Sequence, residues 1–273
     1  MSKVWFITGT SRGIGRAFAE AALERGDKVA ATARNVATLD DLVSKYGDGA
    51  VLPLALDVTD KAAVAAAVAT AHETFGRLDI VVNNAGYGLF GMVEEVTEQQ
   101  VRDQMETNFF GAFWVTQAVL PILRAQGGGH IVQVSSVGGV AAFPSLGAYQ
   151  GSKWALEGFS DSLSQEVAAL GIKVTIVEPG GFSTDWAGSS AAHAEPNPAY
   201  DHVRAAIWDR MGEARYSEPV NAAVALLQIV DAENPPLRVL FGTEPIEIIK
   251  PVYEQRLQTW SDWEHVSRIA QGG

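Results

Sequence analysis

Short apolar segments alternate along the chain with longer segments in which apolar residues recur every three or four positions. Seven of the short segments are rich in Val, Ile, Leu or Ala and stand out, at 4–8, 28–33, 50–56, 78–83, 130–135, 172–178 and 237–241. Strands buried on both faces of a sheet form unbroken apolar runs of this kind, and parallel neighbours need a crossover helix between them. The pattern therefore predicts an α/β fold built on a doubly wound, seven-stranded parallel sheet with helices on both faces.

Helical periodicity fills most of the intervals between these segments. It predicts helices at 15–26, 60–76, about 97–126, about 147–170, about 201–212 and about 217–232, then a helical C-terminal tail that carries Trp260 and Trp263. The stretch 182–200 differs, because it combines small residues and two prolines with little periodicity. We predict one domain over 1–273, with a mobile substrate loop at about 183–215.

Composition narrows the classes of partner. The chain has 273 residues, of which 47% are hydrophobic, and its net charge of −12 would repel nucleic-acid phosphates and anionic lipid. Cysteine is absent, which excludes disulfides and thiolate chemistry and fits a cytosolic protein. The N-terminus does not resemble a signal peptide, and no apolar run approaches the ~18 residues of a membrane span. We expect a cytoplasmic protein with no nucleic-acid or membrane partner.

A glycine-rich turn, "ITGTSRGIG", follows the first predicted strand. Its glycines Gly9, Gly13 and Gly15 permit a tight turn, a close approach of backbone to a pyrophosphate, and packing of the next helix on the sheet. The N-terminus of that helix offers free N–H groups to phosphates. A simple tight turn between strand and helix would also explain the glycines. The position at the first strand-to-helix junction, with Ser11 and Arg12 inside the turn, favours a nucleotide and a Rossmann dinucleotide-binding fold.

The end of the second strand distinguishes between nucleotides. Strands that bind NAD usually end in an acidic residue for the ribose 2′-hydroxyl, whereas Ala33 and Arg34 stand here. Arg34 and Arg12 could both bind a 2′-phosphate through charge-assisted hydrogen bonds. The cofactor is therefore expected to be NADP(H) rather than NAD(H).

Five motifs in order, "TGTSRGIG", "NNAG", "VSS", "YQGSK" and "EPGGFST", make the chain resemble the short-chain dehydrogenase/reductase family over almost its whole length. The overall pattern looks like the branch of hydroxysteroid- and retinol-dehydrogenase-like reductases. In that family a Tyr-x-x-x-Lys pair acts with an upstream Ser and Asn, which implies Tyr149, Lys153, Ser136 and Asn108 as the catalytic set. The family's usual interval to the tyrosine selects Ser136 over Ser135. By the same resemblance, Asn108 supports a water that links Lys153 to solvent.

The Tyr149–Lys153 spacing places both side chains on one helix face. Free tyrosine has a pKa of about 10, and a neighbouring ammonium should stabilise the phenolate and lower that pKa towards neutrality. Ser136 can then hydrogen-bond a substrate oxygen that gains negative charge. The resemblance also implies that Lys153 holds the nicotinamide ribose.

The expected cofactor contacts, from the turn, the strand ends and the resemblance together, are Gly9, Ser11, Arg12, Gly13, Ile14, Gly15, Arg34, Asp57, Val58, Asn84, Ala85, Gly86, Tyr149, Lys153, Pro179, Gly180, Phe182 and Thr184. Asp57 could equally start a helix, and Phe182 departs from the small β-branched residue often found there. Asn83 and Asn84 are expected to hold strand ends together. No metal is expected, because the histidines (His72, His130, His193, His202 and His265) lack ligand spacing and fit surface or capping positions.

The residues that should line the substrate pocket are mostly apolar: those after Ser136, then Tyr87, Leu89, Phe90 and Trp186, with Trp208 and Met211 closing it. This lining favours an uncharged ketone, aldehyde or secondary alcohol. Two alternatives stay open, a 3-oxoacyl-thioester reductase of the same family and a non-catalytic NADP(H)-sensing protein on the same fold. By resemblance, a homodimer or homotetramer should form through the helices at about 97–126 and 147–170.

Overall fold

A computed structural model describes residues 2–211 and 216–272, with side chains omitted at 208–211. The strands are β1 Val4–Ile7, β2 Lys28–Ala33, β3 Val51–Ala55, β4 Ile80–Asn83, β5 Leu89–Phe90, β6 Gly129–Val134, β7 Ile172–Pro179, β8 Ala192–His193 and β9 Arg238–Phe241. The helices are α1 Gly13–Glu24, α2 Asp40–Tyr46, α3 Lys61–Phe75, α4 Glu98–Met105, α5 Gly111–Gln126, α6 Gly147–Val167, α7 Asp201–Met211, α8 Pro219–Asp231, α9 Glu244–Asp262 and α10 Glu264–Ala270.

Seven strands form one sheet in the order β3-β2-β1-β4-β6-β7-β9, and every neighbouring pair is parallel. The chain builds outward from β1 to β3 and then returns to place β4 on the other side of β1. Ligands of such sheets bind at the carboxyl ends of the strands, where this order reverses. The predicted doubly wound sheet is confirmed, and its reversal lies between β1 and β4.

Side chains of each strand alternate between two separate cores, one on each face of the sheet. In β1, Trp5 and Ile7 pack with residues of α1 and α8, whereas Val4 and Phe6 pack with residues of α3 and α5. Both cores are closed by helices, which explains why the strands have apolar residues at successive positions.

The segment 97–126 is helical as predicted, but one π-helical turn, Glu106–Phe110, separates α4 from α5. Helix α2 was not predicted, because its sequence "DDLVSKY" is short and mostly polar. The expected loop 182–200 contains β8, which pairs with β5 in a second, two-stranded sheet, and two short 3₁₀ turns. Mobility of 183–215 stays a prediction, and 212–215 lie outside the described residues.

Candidate active site

The glycine-rich turn has the backbone shape that the sequence predicts. Gly9 and Gly13 adopt φ values of +70° and +64°, which side chains rarely allow. A Cβ at Gly15 would lie 2.5 Å from the Gly9 carbonyl oxygen and closer still to the Asn84 amide. The Arg12 side chain makes no capping bond at the start of α1, so the first N–H groups of the helix remain available to an anion. These residues fit the pyrophosphate of a dinucleotide.

Asn84 fastens this turn to the neighbouring strand. Its side-chain amide donates to the carbonyl oxygens of Thr8 (2.9 Å) and Gly9 (3.0 Å), and its backbone N–H donates to the Thr8 hydroxyl. Asn83 donates to Gln133 Oε1 at 3.0 Å, which joins β4 to β6. The expectation that both asparagines hold strand ends together is confirmed.

Tyr149 and Lys153 lie one turn apart on α6, and each is only 5% exposed. The Lys153 ammonium lies 5.9 Å from the centre of the Tyr149 ring and donates to the Val134 carbonyl oxygen at 2.8 Å. Burial raises the pKa of Tyr149 to about 12, against a hydrogen bond with Ser136 that lowers it. The expectation that the ammonium lowers the pKa of this phenol is therefore wrong for the protein alone, because burial dominates. Burial also lowers the pKa of Lys153 to about 8, against the attraction of Glu157.

Ser136 and Ser135 have different surroundings. Ser136 Oγ accepts from the Gly138 N–H at 3.0 Å, and Ser136 is the serine whose hydrogen bond lowers the pKa of Tyr149. Ser135 is buried, and its hydroxyl lies beside Glu157, whose pKa it lowers. The structure thus brings Ser136, rather than Ser135, to the phenol.

Asn108 lies buried in the π-helical turn. Its side chain accepts from the Tyr87 N–H at 3.1 Å and donates to the Tyr87 carbonyl oxygen at 3.0 Å and to Ser152 Oγ at 3.2 Å. A Cβ at Gly86 would lie 3.0 Å from Asn108 Oδ1 and 3.7 Å from Lys153 Nζ. The structure therefore brings Asn108, Lys153 and the "NNAG" segment together, and single π-helical turns are frequent at functional sites.

Other expected cofactor contacts have structural partners of their own. Asp57 accepts from the N–H and hydroxyl of Thr59, and the start of α3 is capped by Asp60. The Val58 side chain fills the space that a Cβ at Gly111 would occupy. Asp57 is therefore a turn residue, and the alternative that it starts the helix is wrong.

The segment after β7 divides between the core and the cofactor turn. A Cβ at Gly180 would lie 2.5 Å from Pro245 Cγ, so this glycine permits the packing of α9. The Phe182 side chain is buried in the core, and its contact with the cofactor stays a prediction. Thr184 instead faces the turn, because its Cγ2 would lie 3.6 Å from a Cβ at Gly13. Pro179 ends β7.

The two arginines expected at a 2′-phosphate differ in their contacts. Arg34 is exposed at the end of β2. The Arg12 guanidinium binds Asp185 at 2.9 Å and reaches Ser189 Oγ at 3.4 Å. Hydrogen bonds from Ser189 and the charge of Arg12 lower the pKa of Asp185, so its carboxylate is ionised at neutral pH. Sequence reasoning missed Asp185, although it follows Thr184 directly.

An aromatic wall, formed by Phe90, Trp186 and His193, stands in front of Tyr149. The Trp186 ring lies edge-on at 5.0 Å from the Tyr149 ring and 5.4 Å from Phe90, and His193 stacks on Phe90 at 5.2 Å. A Cβ at Gly88 would lie 2.7 Å from the indole, so Gly88 is needed for this packing and was missed by sequence reasoning.

Several expectations about the pocket and the histidines need correction. Leu89 is buried in the interior rather than lining a pocket. The side chains of Trp208 and Met211 lie outside the described residues. His130 is neither a surface nor a capping residue, since it is buried and its Nε2 lies 2.9 Å from Thr175 Oγ1.

Among the side chains that the structure describes, no group of three or more His, Cys, Asp or Glu is arranged to hold a metal ion. None of the helices described is both long and apolar enough to cross a membrane.

Comparison with known proteins identifies the family. Residues 3–195 match the family model described as short chain dehydrogenase. Oxidoreductase BOA17 of Botryotinia fuckeliana is 46% identical over 270 residues, which covers 98% of each chain. A short-chain dehydrogenase from Streptomyces avermitilis has a similar crystal structure, with a TM-score of 0.93, 40% identity and 98% coverage of both chains.

More distant solved structures include cofactor complexes. A short chain dehydrogenase from Burkholderia cenocepacia, in complex with NADP, has a TM-score of 0.76 and 27% identity and covers 96% of this chain and 97% of its own. The 3-ketoacyl-(acyl-carrier-protein) reductase from Brucella melitensis, complexed with NADH, has a TM-score of 0.76 and 26% identity, over 87% of this chain and 96% of its own. Because the family model spans most of the chain and a relative shares nearly half of its residues over the full length, the protein belongs to the short-chain dehydrogenase/reductase family of oxidoreductases.

Proposed function

We propose that this protein is an NADP(H)-dependent oxidoreductase that interconverts an apolar ketone or aldehyde and the corresponding alcohol. The observation that carries the proposal is the convergence of Tyr149, Ser136 and Lys153 beside the glycine-rich turn, at the carboxyl ends of the strands. A phenol, a hydroxyl and an ammonium at the place where a dinucleotide binds can serve carbonyl reduction.

The chain's own residues would bind and orient the cofactor. The backbone of Gly9, Gly13 and the first turn of α1 would bind the pyrophosphate, Thr184 the nicotinamide carboxamide, and Lys153 the nicotinamide ribose. When bound, NADPH supplies the hydride for carbonyl reduction.

Proton transfer falls to Tyr149. With its pKa raised to about 12, the phenol is protonated at neutral pH and can donate its proton to a carbonyl oxygen that gains negative charge. Ser136 is the second hydrogen-bond donor to that oxygen. Lys153, with a pKa of about 8, is mostly an ammonium at pH 7 and favours the phenolate that remains after donation. These protonation states suit donation of a proton to a carbonyl oxygen at neutral pH.

The preference for NADP(H) rests on Arg12 and Arg34 and on the absence of a carboxylate at Ala33. An Arg34→Ala variant should lose most of the ratio of kcat/KM with NADPH to kcat/KM with NADH. An unchanged ratio would contradict this assignment.

The substrate class rests on the aromatic wall. Trp186 stands beside Tyr149 and packs against Phe90, and neither ring is charged, so a flat or aliphatic carbonyl compound would contact apolar surface there. From the family resemblance, we expect a homodimer or homotetramer through α4, α5 and α6. From the composition and the N-terminal sequence, we expect the protein in the cytoplasm.

The experiment is NADPH oxidation across ketones, aldehydes, steroids and acyl thioesters, repeated with NADH and with a Tyr149→Phe variant. We expect turnover with uncharged ketones or aldehydes that Tyr149→Phe abolishes. Acyl thioesters as the best substrates would favour the 3-oxoacyl-thioester reductase alternative. Tight NADPH binding without turnover on any compound would favour the sensing alternative.

A further inference from the structure

Behind Lys153, at the far side from Tyr149, lies a cluster of charged side chains that the proposed reaction does not use. It consists of Glu157 and Asp161 on α6, Glu178 on β7 and Arg238 on β9, and we call it the carboxylate cluster. The Arg238 guanidinium binds Glu157 at 3.0 Å and Asp161 at 2.8 Å and lies 3.8 Å from Glu178. The cluster joins α6 to the edge of the sheet.

The cluster has more negative than positive groups. Three carboxyl groups surround one guanidinium, and the side chains of Glu157 and Glu178 are only 6% and 5% exposed. One oxygen of each of these two glutamates has no hydrogen-bond partner among the described residues. Buried carboxylates are costly unless they are paired, so a further positive charge nearby would stabilise this arrangement.

Lys153 is the one positively charged side chain of α6. Tyr149, Lys153 and Glu157 follow one another at intervals of four along α6 and so lie along one face of the helix. Lys153 is buried, and within the described residues its only hydrogen bond is to the Val134 carbonyl oxygen. Glu157 also packs against the loop that follows β6. A Cβ at Gly139 in this loop would lie 3.1 Å from Glu157 Cγ and 2.5 Å from Ser135 Oγ.

We propose that Glu157 is a positioning residue for the reaction: its carboxylate keeps Lys153 in the ammonium form through the neutral pH range, although the lysine is buried. Glu157 touches neither substrate nor cofactor in this scheme and acts only through Lys153. The proposal rests on the proposed function for its catalytic meaning, but the charge state of Lys153 can be measured without any cofactor.

The direction of the charge effects agrees with this role. Burial lowers the pKa of Lys153 to about 8, and Glu157 is the group that raises it. Burial raises the pKa of Glu157, while Ser135, Arg238 and Lys153 lower it. Burial and the charge of Glu157 raise the pKa of Glu178 to about 7, with Arg238 opposing. Asp161, paired with Arg238, has a lowered pKa. Removal of Glu157 should therefore lower the pKa of Lys153 further.

The test follows Lys153 directly by NMR. The chain has seven lysines, so ¹³Cε-labelled lysine gives few signals, and a Lys153→Met variant assigns the one from Lys153. In the cofactor-free wild type we expect a titration midpoint near pH 8, and in Glu157→Gln a midpoint lower by about one pH unit. The upper pH limb of kcat/KM for reduction should move down by the same amount.

Two matched variants separate this role from general damage. Glu178→Gln removes an equally buried carboxyl of the same cluster, and Glu166→Gln removes an exposed one on α6. We expect the Lys153 midpoint to move by less than half a unit in the first and not at all in the second. If Glu157→Gln does not fold, Glu157→Asp keeps the charge but retracts it, and a smaller downward shift is expected.

A Lys153 midpoint equal to the wild type in folded Glu157→Gln or Glu157→Asp would overturn the proposal, and a shift as large in Glu178→Gln would do the same. A protein without reductase activity would refute the proposed function alone, since the NMR titration needs no turnover.

Discussion

The ion pair between Arg12 and Asp185 offers a graded test of cofactor selectivity. Arg12 lies in the glycine-rich turn and is proposed to bind the 2′-phosphate of NADP(H), yet in this structure its guanidinium binds Asp185 at 2.9 Å. The 2′-phosphate must therefore compete with the Asp185 carboxylate for the same group. An Asp185→Asn substitution removes the competing charge. The asparagine oxygen can still accept from the Ser189 N–H, which Asp185 does at 3.0 Å, so the local turn should persist.

The size of the effect follows from exposure. The two side chains are 54% and 39% exposed, so solvent screens their attraction strongly. Exposed pairs of this kind change a binding constant by roughly two- to fivefold. We expect Asp185→Asn to tighten NADPH binding by that factor and NADH binding by less, because NADH lacks the 2′-phosphate. At about 1 M salt, where the screening length is ~3 Å, the difference should largely disappear.

The assay is a titration of protein fluorescence with NADPH and with NADH, at low and high salt. Glu98→Gln is the control, since it breaks another exposed ion pair, with Arg102 at 2.8 Å, and changes the net charge equally. In an Arg12→Ala background, Asp185→Asn should give no selective gain. Equal gains for NADPH and NADH, or a selective gain without Arg12, would refute the competition.

Three further expectations concern packing and pH. Gly15→Ala should abolish detectable NADPH binding in a fluorescence titration, because the new Cβ would lie 2.5 Å from the Gly9 carbonyl oxygen. The far-ultraviolet circular dichroism spectrum should stay native. Normal NADPH affinity would show that the turn tolerates the alanine. Gly88→Ala should raise KM for the best ketone by about tenfold with NADPH affinity unchanged, because its Cβ displaces Trp186, and an unchanged KM would count against the aromatic wall. Burial lowers the pKa of His130 from 6.5 to about 4, so its stabilising contribution is complete above pH 6.5 and is lost as pH falls to about 4. Between pH 7 and pH 4, the free energy of unfolding in urea should therefore fall by about 3 kcal/mol less in His130→Gln than in wild type. An equal fall in both proteins would contradict this.

Sequence alone predicted the sheet because both of its faces are covered by helices. Buried strands such as β1, "VWFI", have no polar alternation, and that signal is easy to distinguish from helical periodicity. The proximity of Tyr149, Lys153 and Ser136 was predictable for a different reason, since Tyr149 and Lys153 are close in sequence and Ser136 lies in a recognisable motif. Helix α2 and the strands β5 and β8 are too short to show either the apolar run of a buried strand or the periodicity of a helix.

The sequence does not predict how burial and neighbouring charges together set the pKa of a side chain. The phenol of Tyr149 was expected to have a lowered pKa from its proximity to Lys153, but its own burial raises the pKa instead. The roles of Asp185 and Gly88 depend on contacts with Arg12 and Trp186, which lie 173 and 98 positions away. Likewise, the carboxylate cluster forms only when α6, β7 and β9 come together.

Reduction of a carbonyl substrate by wild type and by Tyr149→Phe, with NADPH affinity measured for both, tests the central claim most directly. Loss of a positioned proton donor should lower kcat/KM by roughly 10²- to 10⁴-fold, whereas the dissociation constant for NADPH should stay within about twofold, because phenylalanine keeps the ring and its packing against Trp186. A Tyr149→Phe protein that reduces the substrate at the wild-type rate would contradict the account.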